Sequence, residues 1–286
     1  MEGTNRAYVS LDDLNNRNLA KNDPAMFFQI HKPPILIDEV QYAPELFNYI
    51  KILIDKNQNA GDFWLTGSQV FKLMKGVQES LAGRVAILPM SSLSQNEIYG
   101  NGKNEPFVID LNLLQRRGST RKPADTPVIF KRIFNGSMPA IASGKYTNAS
   151  IFYSSYLSTY LDRDVKEISG VIDSLSFLNF ITAAACRCSQ ILNVAEIARD
   201  ADINQITAKK WLSILETLGI IFYLHPYSNN MLKRTIKAPK LYFFDTGLVT
   251  YLTKWSTPET LESGAMNGAI LENYVVSEIV KSYYNS

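Results

Sequence analysis

Two short polar clusters, each directly after an apolar run, contain the residue types that could do chemistry. Asp38 and Glu39 follow the run ILI, and Thr66 and Ser68 follow the run FWL with Gly67 between them. Carboxylate oxygens are ligands that a hard cation such as Mg²⁺ takes, and a nearby hydroxyl could contact a bound anion or water. A fully solvated acidic pair at the start of a loop is the alternative that the pattern leaves open.

The elements that must position these clusters alternate along the first ninety residues. We predict strands and helices from apolar runs and from helical spacing: strands at Ala7–Leu11, Pro34–Val40, Phe63–Thr66 and Val85–Leu88, and helices at Pro24–Ile30 and Pro44–Asp55. Short strands that are apolar on both faces and alternate with helices predict a parallel sheet with covered faces. Ligands of such sheets bind beyond the carboxyl ends of the strands, where both clusters lie.

Composition places the chain among folded, soluble proteins. It has 286 residues, of which 46% are hydrophobic and 20% charged, and a formal net charge of +2. The near-neutral charge predicts no strong overall attraction to nucleic acid or membrane. There is no run of eighteen apolar residues, so we expect no membrane span. Cys186 and Cys188, separated by one residue, are expected to be free thiols, which fits a cytoplasmic location.

The second half of the chain has a different organisation. Residues 96–127 are predicted to be a long connection, followed by helices at Ser150–Val165 and Leu175–Cys186. The segment NVAEIARD, a turn, a helix at Ile206–Leu218 and the strand IIFYL have the outline of a winged helix. Polar residues on that second helix could contact DNA phosphates, and so could two residues of a later basic stretch. They are Lys209, Lys210 and Ser213 on the helix, and Lys233 and Arg234 in the stretch. The alternative is a winged helix that serves as a packing module, with these lysines on a solvated face.

Acidic residues in the last fifty residues of the chain give weaker indications of a catalytic or metal-binding site. The segment FFDTG resembles the aspartic protease signature, but such a protease needs two of these loops, so we predict that Asp245 caps the following helix. Glu272 and Glu278 lie six residues apart near the end of the chain and could begin an acidic site. Surface glutamates on an amphipathic helix are the favoured interpretation.

Long segments of the chain resemble one known family. The stretches YVSLDD, PPILIDEVQYAPELFNYIKILID and FWLTGSQVFKLMKGVQESLAGRVAILPM, followed by YLSTYLDRDV, NMLKRTIKAPKLYFFDTGLVTYL and GAILENYVVSEIV, look like prokaryotic AAA-type P-loop ATPases with a C-terminal DUF4143 domain. The resemblance implies ATP and Mg²⁺ as cofactors. It also implies that Asp38 holds the metal through a water, that Glu39 orients the attacking water, and that Thr66 or Ser68 is the sensor. Arg84 matches the family's motif arginine, as a phosphate sensor or as a structural salt bridge.

One departure from the family pattern matters more than the match. The family has a strand, a Gly-rich loop ending in Gly-Lys-Ser/Thr and a helix before YVSLDD, and residues 1–286 contain no G-x-x-x-x-G-K-[ST] segment. That loop supplies the backbone N–H groups and the lysine that contact phosphates, so we expect weak ATP binding. We also expect a chain cut at both ends, by gene decay, a mis-assigned start or deliberate shortening. Without the missing strand, its neighbours in the sheet would expose unpaired edges, and such edges could pair with a second copy of the chain.

The predicted fold class is α/β. We expect a parallel-sheet P-loop ATPase core without its first strand and P-loop at residues 1–95, a helical connector at 96–170, a winged helix at 171–230, and a partial α+β domain, the start of DUF4143, at 231–286. Two functions remain. One is a fragment of an AAA-family ATPase of unknown target that is unable to hydrolyse ATP as written. The other is a non-catalytic DNA- or protein-binding module scaffolded by a degenerate ATPase core.

Overall fold

A computed structural model describes residues 6–100, 105–120, 123–161, 173–227, 229 and 237–284. The chain divides into two compact units, Met1–Leu88 and Pro89–Ser286. Each unit is described here by itself.

The first unit is built on a parallel sheet. Its strands are β1 (Ala7–Ser10), β2 (Ile35–Asp38) and β3 (Phe63–Leu65), in the order β1-β2-β3. The register pairs Ser10 with Asp38 and Ile37 with Leu65, so the strands end at the same edge. A parallel α/β architecture is therefore confirmed for this unit.

Helices connect these strands and cover one face of the sheet. They are α1 (Leu14–Asn22), α2 (Pro24–Ile30), α3 (Leu46–Asn57) and α4 (Val70–Ser80), with a 3₁₀ turn at Val40–Tyr42. The helix predicted at Pro44–Asp55 is present as α3, and its residues Leu46, Phe47 and Ile50 are buried in a core with Ile35 and Ile37 of β2. The opposite face of the sheet is more open: Tyr8 is 63% exposed and Trp64 is 39% exposed.

The predicted strand at Val85–Leu88 is wrong. These residues have no strand pairing, and Ile87 and Leu88 are 55% and 76% exposed. An apolar run becomes a strand only when a neighbouring strand satisfies its backbone N–H and C=O groups. Within the described residues the sheet ends at β3, and no strand lies beside this segment.

The second unit is mainly helical. Its helices are α5 (Gln95–Ile98), α6 (Leu111–Thr120), α7 (Thr126–Asn135), α8 (Pro139–Ala142), α9 (Ala149–Ser155) with a π-helical turn at Tyr156–Leu161, α10 (Ser174–Ala185), α11 (Val194–Asp200), α12 (Gln205–Thr217), α13 (Thr246–Leu252), α14 (Pro258–Glu262) and α15 (Asn267–Tyr284). β4 (Ile221–Leu224) and β5 (Lys240–Phe243) form an antiparallel pair. The helix, turn, helix and strand predicted from NVAEIARD onward are present. That they form a winged helix stays a prediction, as do the four domain boundaries.

The buried side of α12 carries Trp211, Ile214 and Leu215. Trp211 packs edge-on against Phe177 and Phe180 of α10, with ring centroids 5.3 and 5.2 Å apart. Asn204 caps the helix by accepting a 2.7 Å hydrogen bond from Thr207 N, which pairs one of the free N–H groups of the first turn. The core between α10 and α12 therefore determines which face of α12 is exposed.

A buried polar network joins α7, α9, α13 and α15. Asp245, 3% exposed, accepts hydrogen bonds from Leu248 N at 2.9 Å, Tyr153 OH at 2.6 Å and Ser137 N at 2.7 Å. The predicted capping role of Asp245 is confirmed by the bond from Leu248 N. Lys281, 2% exposed, donates to Ser137 Oγ at 2.8 Å, so a buried ammonium group lies one residue from the carboxylate.

Two further observations bear on the sequence predictions. Both cysteines are free, with Cys186 exposed and Cys188 buried. In the part of the chain that the structure describes, no helix combines the length and apolar character needed to cross a bilayer.

Candidate functional site

The two polar clusters of the first unit meet at the carboxyl edge of the sheet. Asp38 is the last residue of β2, and Thr66 follows the last residue of β3. Backbone hydrogen bonds hold these ends together, since Thr66 N donates to Ile37 O and Val40 N donates to Thr66 O, each at 3.0 Å. Parallel pairing thus brings together side chains that are 28 positions apart in sequence.

Asp38 receives one hydroxyl donor on each carboxylate oxygen. Thr66 Oγ1 donates to Oδ1 at 2.5 Å, and Tyr8 OH donates to Oδ2 at 2.9 Å. The bond to Asp38 raises the pKa of the Tyr8 phenol, because a hydrogen bond to a carboxylate favours the protonated form of the donor. The Asp38 carboxylate is therefore oriented by three strands at once.

Glu39 lies where the chain leaves β2. Its backbone is left-handed, with φ 56° and ψ 40°, a conformation uncommon for a residue other than glycine. Its Oε2 accepts hydrogen bonds from Gln41 Nε2 and, at 3.2 Å, from Ser68 Oγ. The turn directs the second carboxylate toward the same strand ends as the first.

The charges of this acidic pair are not balanced by the protein. Within the described part of the chain, neither Asp38 nor Glu39 forms a salt bridge, and all their side-chain donors are neutral hydroxyl and amide groups. Two adjacent carboxylates without a cationic partner repel each other, and a cation relieves that repulsion.

The oxygen atoms of this site would suit a magnesium ion that keeps several waters better than a metal ion coordinated by protein side chains alone. Among the described residues, no group of three or more His, Cys, Asp or Glu side chains could hold a metal ion. Mg²⁺ keeps several waters and commonly takes one or two carboxylates plus substrate phosphates. Each oxygen of Asp38 accepts one hydrogen bond and keeps a second lone pair, so the carboxylate could still contact a cation or a metal-bound water.

Arg84 is not brought to this site. It forms a two-pronged ion pair with Asp55 near the end of α3, Nε–Oδ1 2.6 Å and Nη2–Oδ2 3.2 Å. The bond lowers the pKa of the Asp55 carboxyl group, because the guanidinium group stabilises the charged form. Arg84 and Asp55 line a cavity of about 560 Å³ that includes Asp62 and Phe63, at the opposite end of β3 from Thr66. The salt bridge that the sequence left open is present, and a phosphate-sensing role stays a prediction.

The residues predicted to contact nucleic acid are partly described. Lys209, Lys210 and Ser213 are all exposed on α12, opposite the buried Trp211. Lys233 and Arg234 lie outside the described residues. Exposure leaves both interpretations of α12 open, a phosphate-binding face and a solvated one.

Two residues of the acidic site are absent from the sequence-based prediction. Tyr8 lies two positions before Ser10 in β1, and the period of two along a strand puts both on the face of Asp38, so a signal existed. Gln41 gave no such signal. Its contact with Glu39 depends on the left-handed turn at Glu39, which no local sequence rule predicts.

Comparison with known proteins follows the division of the chain. Residues 2–99 match the model of the AAA domain. The match contains the whole acidic site and supports an AAA-type ATPase family for the first unit. Residues 127–259 match a domain of unknown function, DUF8612. The predicted DUF4143 assignment is therefore corrected: the C-terminal part matches a different domain family.

Two curated relatives cover most of the chain. They are Uncharacterized protein Mb2031c of Mycobacterium bovis and Uncharacterized protein Rv2008c of Mycobacterium tuberculosis, each 27% identical over 245 residues, which is 86% of this chain. The chain spans about half the length of these relatives, 50% in each case. Their names assign no activity.

Proposed function

We propose that Asp38, Glu39, Thr66 and Ser68 form the magnesium-directing and water-directing part of an AAA-type ATPase site whose ligands are ATP and Mg²⁺. The observation that carries the proposal is the pair of adjacent, half-buried carboxylates at the carboxyl edge of a parallel sheet, with neutral donors only. The match of residues 2–99 to the AAA domain supports it. A solvated acidic pair would not need this set of orienting hydroxyl and amide groups.

Each residue has a distinct part in this proposal. Bound magnesium would neutralise the phosphate charge that develops during transfer. Asp38 would accept hydrogen bonds from metal-bound water, and Thr66 orients its carboxylate. Glu39 would accept a hydrogen bond from the attacking water and so align the lone pair of the water oxygen. Ser68 donates a hydrogen bond to Glu39 at 3.2 Å, and its hydroxyl would be the group that contacts the terminal phosphate.

Nucleotide affinity of residues 1–286 is expected to be low. These residues contain no G-x-x-x-x-G-K-[ST] segment, the source of most phosphate contacts in such ATPases. We therefore expect this chain to bind Mg-ATP with a Kd of roughly 1 mM or weaker, and not to hydrolyse it above background.

The test is a metal and nucleotide titration. Mn²⁺ replaces Mg²⁺ so that binding in the presence of ATP can be followed by electron paramagnetic resonance. Asp38→Asn should remove the protein-dependent Mn²⁺ signal, and Glu79→Gln, an exposed acid on α4, should leave it unchanged. An Asp38→Asn variant that binds Mn²⁺ like the wild type would refute the proposal. Micromolar ATP binding measured by calorimetry would show that the missing loop does not matter.

DNA binding by the second unit is the other candidate. It rests on α12, which exposes Lys209, Lys210 and Ser213 while Trp211 fixes its buried side, so that phosphate contacts are possible there. A mobility-shift titration tests it with the double variant Lys209→Ala/Lys210→Ala. We expect weaker binding and a smaller dependence of affinity on salt, because each lysine that contacts a phosphate releases counterions. An unchanged shift would remove α12 from consideration.

A further inference from the structure

Gln41 is a buried polar residue that neither the sequence nor the family resemblance assigns to the acidic site. It lies in the 3₁₀ turn two residues after Glu39 and is 6% exposed. Its Nε2 donates to Glu39 Oε2, the same oxygen that accepts from Ser68 Oγ at 3.2 Å. One oxygen of the water-directing carboxylate is thus held from two sides.

The amide of Gln41 is itself fixed in place by Gly67. A Cβ at position 67 would lie 2.2 Å from Gln41 Oε1 and 3.2 Å from its Cδ. The three atoms nearest to that Cβ all belong to Gln41. The amide therefore rests directly on the backbone that separates Thr66 from Ser68, and only glycine leaves room for it there.

The oxygen of the Gln41 amide indicates that packing alone does not explain why a polar side chain lies at this position. Among the described residues, Gln41 Oε1 is a buried acceptor without a hydrogen-bond partner. Leaving a buried acceptor unpaired is unfavourable, and an apolar side chain of the same shape would avoid it. What the amide provides in this position is its donor, and the donor is directed at Glu39.

We propose that Gln41 is a positioning residue for Glu39: seated on Gly67, its amide holds the Glu39 carboxylate in one orientation beside the strand ends. The functional meaning rests on the proposed role of Glu39 in directing water. The left-handed backbone at Glu39 contributes, since it brings residues 39 and 41 to the same side of the turn. Gly67 is required for the same reason, as the surface on which the amide lies.

The proposal is tested by the chemical reactivity of the Glu39 carboxylate, which requires no nucleotide. Carboxyl groups of the whole protein are labelled with a water-soluble carbodiimide and glycine ethyl ester, and the rate at Glu39 is read by mass spectrometry. Gln41→Met keeps the side-chain volume and removes the donor. Gly67→Ala keeps Gln41 but displaces its amide. We expect both variants to raise the labelling rate at Glu39 by about 10-fold or more, the lower end of the effect of losing one hydrogen bond to a charged group.

Two controls separate positioning from a general loosening of the fold. Labelling at Asp38 in the same samples should not change, because its donors are Thr66 and Tyr8. Gly118→Ala, in α6, is the matched glycine substitution, since its Cβ would meet no atom within 4 Å. We expect the wild-type rate at Glu39 in this variant.

The outcomes distinguish this inference from the proposed function. An unchanged rate at Glu39 in both Gln41→Met and Gly67→Ala overturns the positioning role, whatever the Mn²⁺ titration shows. Equal acceleration at Asp38 and Glu39 also overturns it, because that pattern indicates local unfolding. Selective acceleration at Glu39 supports positioning, even if Asp38→Asn leaves Mn²⁺ binding intact and the ATPase proposal fails.

Discussion

Gly136 should be the least replaceable glycine of the second unit. It follows the last residue of α7 with φ 74° and ψ −164°, a region that residues with a Cβ rarely enter. A Cβ there would lie 2.2 Å from Tyr153 OH and 2.6 and 2.9 Å from the two carboxylate oxygens of Asp245. Gly136→Ala would therefore push apart the hydrogen-bonded pair at the centre of the buried network.

The expected loss can be worked from these contacts. Forcing alanine into this backbone conformation costs about 1–3 kcal/mol. Displacing the 2.6 Å bond from Tyr153 OH to buried Asp245 costs roughly a further 1.5–3 kcal/mol, because the acceptor is charged. The sum of about 2.5–6 kcal/mol is a large fraction of the ~5–15 kcal/mol that stabilises a typical domain. Gly136→Ala should therefore leave the second unit marginally folded or unfolded.

Urea unfolding followed by tryptophan fluorescence measures this loss. The chain has three tryptophans, Trp64 in the first unit and Trp211 and Trp255 in the second, so a Trp64→Phe background restricts the signal to the second unit. Gly118→Ala is again the control, and its free energy of unfolding should not fall but rise by about 0.4–1 kcal/mol, because alanine is favoured over glycine inside a helix.

A double-mutant cycle identifies the cause. Tyr153→Phe removes the oxygen closest to the added methyl group, so part of the cost of Gly136→Ala should disappear in the double variant. We expect the summed losses of the two single variants to exceed the loss of the double variant by about 1 kcal/mol or more. A loss below ~1 kcal/mol for Gly136→Ala, or strict additivity with Tyr153→Phe, would refute the steric argument.

Two further predictions concern ionisable groups of the second unit. Burial raises the pKa of the Cys188 thiol to about 12, so a disulfide reagent at pH 8 should react with one thiol of the folded protein and with two thiols in denaturant. Cys186→Ser should abolish the reaction of the folded protein. Two thiols that react rapidly in the folded protein would contradict the structure. Hydrogen bonds from Lys240 Nζ and Tyr242 OH, both 2.7 Å, hold the pKa of Glu272 below its usual 4.5. A carboxyl group whose pKa is lowered in the folded state stabilises the fold above its ordinary pKa of 4.5, and this contribution is lost as the pH falls through the folded pKa. Wild type and Glu272→Gln should therefore differ in free energy of unfolding by less than ~1 kcal/mol at pH 7, after solvent screening, and this difference should shrink as the pH falls below 4.5. Midpoints that diverge on acidification would have the wrong sign.

The acidic site shows which features a sequence predicts well. Asp38 and Thr66 follow apolar strands, and parallel strands end at a common edge, so their proximity needs only the strand assignments and the strand order. Gln41 depends instead on one residue adopting a left-handed backbone, and local propensity disfavours that conformation for Glu39. The position of Asp38 and Thr66 follows from regular strand pairing and was predictable. The position of Gln41 follows from the left-handed backbone of Glu39 and was not.

Long-range context explains the larger errors. The run at Val85–Leu88 has strand composition, yet its state depends on a neighbouring strand that composition cannot supply. Similarly, Asp245 as a helix cap follows from local spacing, but its partners Tyr153 and Ser137 lie 92 and 108 positions away. Pairings at that separation are decided by packing of the whole unit, which leaves no periodic trace in the sequence.

Asp245 and the pair Asp38 and Glu39 differ in burial and in backbone bonding. Asp245 is almost fully buried, accepts hydrogen bonds from two backbone N–H groups as well as from side chains, and shares its partner Ser137 with Lys281, whose ammonium group also pairs with Glu278. Asp38 and Glu39 are only half-buried, receive neutral donors, and have no cationic partner among the described residues. Folding alone would favour a balanced pair, since two unpaired neighbouring carboxylates repel each other. In the proposed function, a bound cation would balance these two charges at the carboxyl edge of the sheet.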